Sequence, residues 1–535
     1  MVVNQRVSSD DVVVISRAIY SQVYNQSLPQ GERRLVYTIL DYFLSDYTQA
    51  VKEMGSEFVL GYIQTMDGEK DPRNLVIALN SVHRIVLSVP FEVLAEDLFE
   101  VVACYFPIDF TPPPDDPHVV SKEQLVLTLR NCLTSTPKFT ELCLPLMLEK
   151  VTSDLLSAKL DSLLTIAAGC HTFDPKVLHT HLQPLWTAIW KEILQPVSDE
   201  VEAAGAQCLE SMSQSLAAGT GGERVGEFTE MVLKDCSRHL MDLELKLLGP
   251  ASRALHAVAR GCGQACRTIT AASVPLLLNQ FHSRSAVTQK KAFLQVLAEF
   301  INILHRFHGE KEPCPLDNLK TELISLVVSS VRGGTQSLVE TGLEVCRGLL
   351  VLRGFLDDKE VLMLVEHVKQ LALCSSESLA VRERSCDVLG CVSQSYPHIA
   401  REEIVPPLLQ RFTPGLPLET DHMGVQSETI SLPDMSRVLV SLSSSQELQE
   451  LTLPVFVAVL EQLLLTTELV ETSEAVVGHL SQLVENTVSG GGSVGTRFVH
   501  KVVAERILVL CVLPSLPESS AGRMFTEKAV LQQCH

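Results

Sequence analysis

Two pairs of cysteines lie at spacings that could bring two thiolates together. Cys262 and Cys266 are four residues apart, so on a single helix both thiols would point from the same face. Cys386 and Cys391 are five residues apart, a poorer fit, and fall within a core-facing pattern. A zinc or iron–sulfur site needs about four ligands, and no second pair is arranged near Cys262. We therefore predict that these thiols are small apolar groups of a core rather than ligands.

Histidines form two further candidate groups. His179 and His181 make an H-x-H motif, but on a helix two such residues point to different sides. His305, His308 and Cys314 lie close together in the sequence, and imidazole and thiolate are both zinc ligands. A solvated turn is the favoured interpretation of the second group, with a metal site as its alternative.

Two tryptophans could act in binding rather than in chemistry. Trp186 and Trp190 are four residues apart on one predicted helix, and exposed tryptophans often anchor a partner protein. Packing between neighbouring helices is the favoured interpretation, because large aromatic side chains dominate cores as well as interfaces.

Three acidic doublets are candidates for helix caps and solvated turns. They are Asp115-Asp116, Asp357-Asp358 and Glu402-Glu403. Together with the net charge they could form an acidic ridge for a basic partner, which is the alternative that we keep open.

The sequence lacks the motifs of the common enzyme classes. It has no Walker loop, no G-x-G-x-x-G after a strand, no H-E-x-x-H and no G-x-S-x-G. We therefore predict a protein that is not an enzyme, with no catalytic, cofactor-binding or metal-binding residues and no cofactor.

Charge and composition indicate a scaffold of stacked helices. With 64 acidic and 43 basic residues, the net charge of −21 argues against direct binding of nucleic acid, which requires clustered Lys and Arg. Apolar residues make up 46% of the chain, too many for a disordered protein. Aromatic residues are only 5%, and Leu and Val dominate, which favours helices over a β-sandwich.

Cysteine usage and the absence of apolar spans predict the compartment. The 15 cysteines are scattered, odd in number and never at C-x-x-C spacing, which is typical of reduced thiols in the nucleus or cytosol. The first residues, MVVNQRVSSDD, do not resemble a signal peptide. The longest segment without Asp, Glu, Lys or Arg, residues 268–283, is too short and polar to cross a bilayer. We predict a nuclear and cytoplasmic protein that does not contact membranes.

An irregular repeat is the dominant signal along the chain. Apolar stretches with a proline near the predicted helix start recur, and each is followed by a second apolar-periodic stretch. The recurrence of roughly 39 to 48 residues matches HEAT or armadillo helix pairs. We therefore predict an all-α, HEAT/armadillo-like α-solenoid superhelix of about eleven helix pairs. The prolines are Pro145, Pro184, Pro275, Pro406 and Pro454, and the clearest second helices are 157–170, 202–216, 290–304 and 381–395.

Three interruptions divide the predicted array. Residues 1–488 form the repeat domain, with a proline-rich insertion at 105–118 between two helices of one repeat and a loop at 413–433. A Gly-rich linker, SGGGSVG, follows at 489–495. Residues 496–535 are predicted to form a partial C-terminal helical segment.

Two segments resemble a known family. MDGEKDPRNL, at residues 66–75, and CYFPIDFTPPPDDPH, at residues 104–118, are similar to the N-terminal region of the MMS-nineteen family of HEAT-repeat proteins. The second segment is the more specific, because three prolines after an aromatic-rich stretch are not a general HEAT feature. The resemblance extends from about residue 16 to residue 278 and more loosely to about residue 483, so the chain resembles the N-terminal and middle part of the family.

The resemblance implies a non-catalytic adaptor. Family members belong to the cytosolic iron–sulfur protein assembly targeting complex and present apo-clients for 4Fe–4S cluster insertion, which supports DNA repair and genome integrity. The implied partners are the assembly targeting factors, apo iron–sulfur helicases and polymerases, and components of transcription factor IIH. Members are longer than this chain, and their docking surface for the assembly factors is C-terminal, so we expect that surface to be missing here. The alternative is a generic HEAT scaffold, such as a nuclear transport receptor or a phosphatase scaffold.

Overall fold

The described part of the chain consists of helices and the turns that connect them. The computed structural model describes residues 7–465, apart from 113–119, 219–221, 243–244, 310–311, 375, 407 and 409–431, together with residue 482. No strand occurs among these residues. The chain divides into two compact units, Met1–Ser273 and Val274–His535.

The first unit contains six successive helix pairs within its described residues. Its helices are α1 (Ser9–Gln22), α2 (Gln30–Asp46), α3 (Thr48–Met54), α4 (Ser56–Met66), α5 (Pro72–Ser88), α6 (Ala95–Ala103), α7 (Lys122–Leu133), α8 (Thr140–Val151), α9 (Leu156–Gly169), α10 (Pro175–Thr180), α11 (Leu182–Leu194), α12 (Asp199–Ala217), α13 (Glu223–Leu240) and α14 (Leu248–Gly261). The division between the units falls within α15 (Gly263–Ser283).

The second unit continues the alternation. Its described helices are α16 (Val287–Phe307), α17 (Lys320–Gly333), α18 (Gln336–Val351), α19 (Asp358–Leu373), α20 (Leu379–Ser395), α21 (Pro397–Ile399) with the π-helical turn Ala400–Ile404, α22 (Leu432–Leu442) and α23 (Gln446–Leu465). The repeat that the sequence predicts is thus present in both units.

Each unit has two layers. In the first unit the second helix of each pair packs on the next, in the order α2, α5, α7, α9, α12 and α14. In the second unit α16, α18, α20 and α22 form the same kind of stack. The first helices form the other layer, with contacts such as α1 to α4 and α17 to α19. The core of each unit lies between these layers, as expected of helix pairs that cannot bury their apolar faces alone.

Polar residues at the turns fix where many second helices begin. Ser121, Ser198 and Ser378 each accept a hydrogen bond from a backbone N–H in the first turn of the following helix. Asp71 does the same for α5, and Pro72 occupies the first helical position. These caps satisfy backbone donors that have no partner within the helix.

The turn arginines pair with carboxylates. The Arg73 guanidinium donates to the Asp71 carboxylate at 2.9 Å, and the Arg382 guanidinium pairs with Asp434 in α22. Hydrogen bonds from a guanidinium to a carboxylate are charge-assisted, and they are therefore stronger than bonds between neutral groups.

The proline prediction is confirmed at one position and wrong at others. Pro184 lies in the first turn of α11, but Pro145, Pro275 and Pro454 lie inside α8, α15 and α23. Pro406 comes just after the π-helical turn that ends at Ile404. Proline removes one backbone hydrogen bond and bends a helix. Packing of α8, α15 and α23 against neighbouring helices offsets the loss of that hydrogen bond.

The predicted interruptions are partly within the described residues. Residues 105–112 do lie between α6 and α7, the two helices of one pair. Helix α22 begins at Leu432, so residues 432 and 433 of the loop predicted at 413–433 are helical. The remainder of that loop, the linker at 489–495 and the segment 496–535 lie outside the described residues.

Close packing of α12 against α14 gives a stability prediction. A Cβ atom added at Gly261 would lie 2.4 Å from Ser213 Cβ and 2.7 Å from the Glu210 carbonyl oxygen. We expect Gly261→Ala to lower the free energy of unfolding by about 1–3 kcal/mol, because the clash involves the backbone of a packed helix. The control is Gly31→Ala in α2, where no atom lies within 4 Å of the added Cβ.

The control should change stability in the opposite direction. Alanine is a better helix former than glycine, so Gly31→Ala should stabilise by up to about 1 kcal/mol. Urea unfolding curves of the two variants measure both effects. A Gly261→Ala protein as stable as the wild type would show that the two helices approach less closely.

Candidate protein-interaction scaffold

The first of the two motifs forms a buried polar node, which we define as Glu69 and the groups that bond to it. Glu69 is only 3% exposed. Its two carboxylate oxygens accept hydrogen bonds from Arg33 Nε and Nη2, both at 2.8 Å. The backbone N–H groups of Lys70 and Asp71 donate to it at 2.9 Å, and the Asn74 side chain donates at 3.2 Å. The carboxylate therefore ties α2 to the start of α5.

The environment of Glu69 keeps it charged. Burial acts to raise its pKa, but the hydrogen bonds from Arg33, Asp71, Asn74 and Lys70 outweigh burial and hold the pKa below its ordinary value. The ionised Glu69 carboxylate therefore stabilises the folded state at pH values above the ordinary pKa of a glutamate. This stability is lost as the pH falls through the lowered pKa of the folded state.

The second motif packs against the first. The Tyr105 hydroxyl donates to the Met66 carbonyl at 3.3 Å, and Ile108 is buried. The neighbouring Thr65 carbonyl accepts hydrogen bonds from Tyr37 and from the Asn25 side chain. Both segments that carry the family resemblance therefore meet around the turn between α4 and α5. Residues 113–118, the remainder of the second motif, lie outside the described residues.

Cys262 and Cys266 do not share a helical face, contrary to the spacing argument. Cys262 lies between α14 and α15, where its sulfur accepts from Ala265 N–H at 3.4 Å, and Cys266 is buried inside α15. The backbone of Cys262 is extended, with a φ of −160° and a ψ of 159°, so the helix is interrupted there and the helical spacing does not apply. Cys262 Sγ also lies 3.8 Å from Ser213 Oγ in α12.

Cys386 and Cys391 both lie in α20, as the pattern predicts. Burial raises the pKa of Cys386 to about 12 and also raises that of Cys391. Both thiols are therefore protonated at neutral pH, which disfavours their use as nucleophiles or ligands.

The histidines contact different neighbours. His179 Nε2 lies 2.7 Å from Glu227 Oε2 in α13, whereas His181 Nδ1 lies 3.0 Å from the Val177 carbonyl. Burial and the nearby Arg353 lower the pKa of His305. Burial raises the pKa of Cys314 to about 11. Within the described part of the chain, no group of three or more His, Cys, Asp or Glu side chains is placed to share a metal ion.

The two tryptophans belong to the core. Their rings stack with centroids 5.3 Å apart, and both side chains are buried. Trp186 Nε1 donates to Asp235 in α13 at 2.7 Å. Packing between helix pairs is therefore confirmed over exposure to a partner.

The acidic doublets have separate roles. Asp357 caps α19 and forms a capping box with Glu360. Asp358 lies 3.3 Å from His398 Nε2, and Glu402 and Glu403 are exposed in the π-helical turn. Asp115 and Asp116 lie outside the described residues.

Polar pairs link successive helix pairs in both units. Arg17 and Glu57 are 40 residues apart in the sequence, and Arg17 Nε donates a hydrogen bond of 2.8 Å to Glu57 Oε1. Arg84 and Asp41, 43 residues apart in the sequence, bond at 3.1 Å. In the second unit Lys320 Nζ lies 2.7 Å from Glu360. The sequence reasoning did not find these pairs, although acids and bases one repeat apart were a usable signal.

Many of the polar residues named above cap helices or join neighbouring repeats in the described part of the chain, which is typical of a repeat scaffold. Among the described residues, no helix is both long and apolar enough to cross a bilayer.

Solved structures share this architecture. The chain is similar to the karyopherin Kap121p bound to the extreme C-terminus of the protein phosphatase Cdc14p, with a TM-score of 0.56 and 11% identity. That match covers 95% of this chain and 48% of the karyopherin chain. Kap121p bound to Pho4p matches with a TM-score of 0.55 and 12% identity over 98% of this chain and 49% of that one. The protein is therefore an all-α HEAT-repeat protein, as the sequence predicts.

The sequence comparisons identify the family. Residues 1–195 match the family model described as "Dos2-interacting transcription regulator of RNA-Pol-II". The MMS19 nucleotide excision repair protein homolog of Homo sapiens is 33% identical over 516 residues, which is 95% of this chain and 50% of that protein. The homolog of Xenopus tropicalis is 32% identical over 83% of this chain and 44% of its own length.

The chain belongs to this MMS19 family, so the resemblance carried by the two motifs is confirmed. It spans about half the length of the curated relatives it matches.

Proposed function

We propose that the protein is a non-catalytic adaptor of the cytosolic iron–sulfur assembly targeting complex. It presents apo-clients, the DNA repair and replication helicases and polymerases, for 4Fe–4S cluster insertion. Through these clients it supports nucleotide excision repair and genome integrity, and it acts in the nucleus and the cytoplasm. Its partners are assembly targeting factors, clients and components of transcription factor IIH, without direct contact to nucleic acid or membrane.

One observation carries the proposal: identity to relatives named for nucleotide excision repair extends over 95% of this chain. It therefore includes the helix pairs as well as the two motifs. A repeat scaffold offers a large exposed surface to other proteins. The net charge of −21 favours protein partners over DNA.

The alternative is a nuclear transport receptor or phosphatase scaffold. The karyopherin structures resemble this chain at 11–12% identity, which is a likeness of fold alone. Membership of the MMS19 family favours the adaptor.

A pull-down of the full chain from a vertebrate cell extract, analysed by mass spectrometry, tests the proposal. We expect iron–sulfur helicases or polymerases to be recovered. The matched control is the Kap121p chain, which shares the fold but not the family. Recovery of a small GTPase or a phosphatase subunit, with no iron–sulfur protein, would support the alternative instead.

A second measurement examines the activity itself. In cells depleted of the endogenous family member, expression of this chain should restore radioactive iron incorporation into an iron–sulfur helicase if client binding and docking both reside in it. If client binding is restored without iron incorporation, this chain presents the clients, and the assembly targeting factors dock on a region that other family members have outside the part matched here. Failure of both contradicts the proposal.

A further inference from the structure

Apolar side chains are exposed at three successive turns along one edge of the first unit. Leu155, the last residue of the turn between α8 and α9, is 55% exposed, and Leu156, the first residue of α9, is 44% exposed. Val197 is 63% exposed between α11 and α12, and Met241 is 45% exposed after α13. All three turns join the first helix of a pair to the second. We call these four side chains, with the exposed acids beside them, the acidic–apolar edge.

Two ion pairs hold these turns next to one another. Lys159, in the first turn of α9, lies 2.5 Å from Glu192, near the end of α11. This pair joins the turn of Leu155 to the turn of Val197. Glu202, in the first turn of α12, pairs with Arg253, in the second turn of α14. The turns of Val197 and Met241 are also related through the helices that precede them, because the Trp190 ring near the end of α11 lies 5.9 Å from the His239 ring near the end of α13, measured between centroids.

The first two turns carry acidic charge, and the basic residues that precede them are Lys150, which pairs with Glu149, and Lys191 in the last turn of α11. Asp154, Asp199 and Glu200 are exposed, and residues 152–158 and 195–202 contain no Lys or Arg. The hydroxyl of Ser198 bonds to Glu200 and lowers its pKa, so this carboxylate is charged at neutral pH. The third turn includes Lys246, so the acidic part of the edge lies at the turns of Leu155 and Val197.

The spacing of the turns suits a helix. Packed helices lie about 8–10 Å apart, so neighbouring turns of one layer are separated by a similar distance. An α-helix rises about 1.5 Å per residue, so about five to seven residues cover one such step. A helix of about 15 residues therefore reaches all three turns, and its residues at i, i+7 and i+14 face successive apolar side chains.

We propose that the acidic–apolar edge binds a basic amphipathic helix of a partner protein. The apolar face of that helix contacts Leu155, Val197 and Met241, and its Lys and Arg side chains pair with Asp154, Asp199 and Glu200. Burial of exposed apolar surface supplies affinity, while complementary charge supplies orientation and association rate. An anionic lipid surface, the other common target for such a face, is repelled by the same carboxylates.

The inference is independent of the proposed function, because it follows from exposure and charge alone. It is tested with a defined probe, a fluorescein-labelled peptide of about 15 residues with Leu at heptad spacing and Lys beside it. The same peptide with Glu in place of Lys is the charge control. Binding is measured by fluorescence anisotropy at about 0.15 M salt, where distant charges are screened.

Two variants of the full chain probe the edge. Leu155→Ser/Val197→Ser removes apolar contact, and Asp199→Lys/Glu200→Lys reverses charge. The controls are Val93→Ser, at an apolar residue that is even more exposed and lies just before α6, and Glu96→Lys/Asp97→Lys, at an exposed acidic pair in the first turn of α6. All the substituted side chains are exposed, and an unchanged thermal midpoint verifies that each variant folds.

We expect each edge variant to weaken binding of the Lys peptide by about tenfold and each control to weaken it by less than about twofold. The Glu peptide should not bind. Equal losses of affinity in the edge and control variants would show that the peptide binds only through attraction to the net negative charge, and this outcome would overturn the proposal. Unchanged binding to the edge variants would overturn it as well.

Discussion

Glu69→Gln should lower the free energy of unfolding of the first unit by about 3 kcal/mol. The substitution leaves Arg33, whose side chain is only 19% exposed, without its charged partner, and breaking one side of a buried ion pair costs roughly 3–5 kcal/mol. The amide retains one acceptor oxygen, so we expect the lower end of that range. Urea unfolding followed by circular dichroism measures the loss.

The matched control is Glu57→Gln. Glu57 also pairs with an arginine, Arg17, at the same 2.8 Å, but both side chains are about half exposed. Exposed ion pairs contribute little, because water and salt screen them. Equal effects of the two substitutions would contradict the role of burial at Glu69.

The same node should make the free energy of unfolding depend on pH in the acidic range. The pKa of Glu69 is held below its ordinary value, so the wild type should lose stability as the pH falls through that lowered pKa. In Glu69→Gln this part of the dependence should be missing. Identical acid profiles for the two proteins would show that Glu69 is not the group responsible.

The second large effect concerns the buried pair of Lys159 and Glu192. Both side chains are almost fully buried, and Lys159 Nζ also donates to the Val151 carbonyl at 3.2 Å. Lys159→Met and Glu192→Leu should each destabilise by about 3–5 kcal/mol, because each leaves one charge buried and unpaired. The double variant should recover most of that loss, since two apolar side chains of similar volume need no partner.

Unfolding of the wild type, both single variants and the double variant forms a thermodynamic cycle. A coupling energy of several kcal/mol is expected. Additive losses in the double variant would mean that the two side chains act independently, despite the 2.5 Å contact.

The comparison of sequence and structure is instructive at the prolines and cysteines. A proline at a helix start is the usual rule, yet Pro145, Pro275 and Pro454 lie inside helices that begin earlier at Thr140, Gly263 and Gln446. The rule considers an isolated helix. It omits the packing energy that offsets the cost of a proline inside a helix. Cys262 and Cys266 show the same limit, since a break between two helices separates residues that the periodicity joins.

The sequence by itself determined the helical repeat and the two family motifs, because apolar periodicity and local residue order are properties of the chain. Tertiary structure alone decided that Glu69 is a buried node, that Trp186 donates a hydrogen bond to Asp235, and that Leu155, Val197 and Met241 are exposed. These relations join residues about one repeat apart. They depend on which side chain of one helix meets which side chain of the next, and packing of both layers fixes that register.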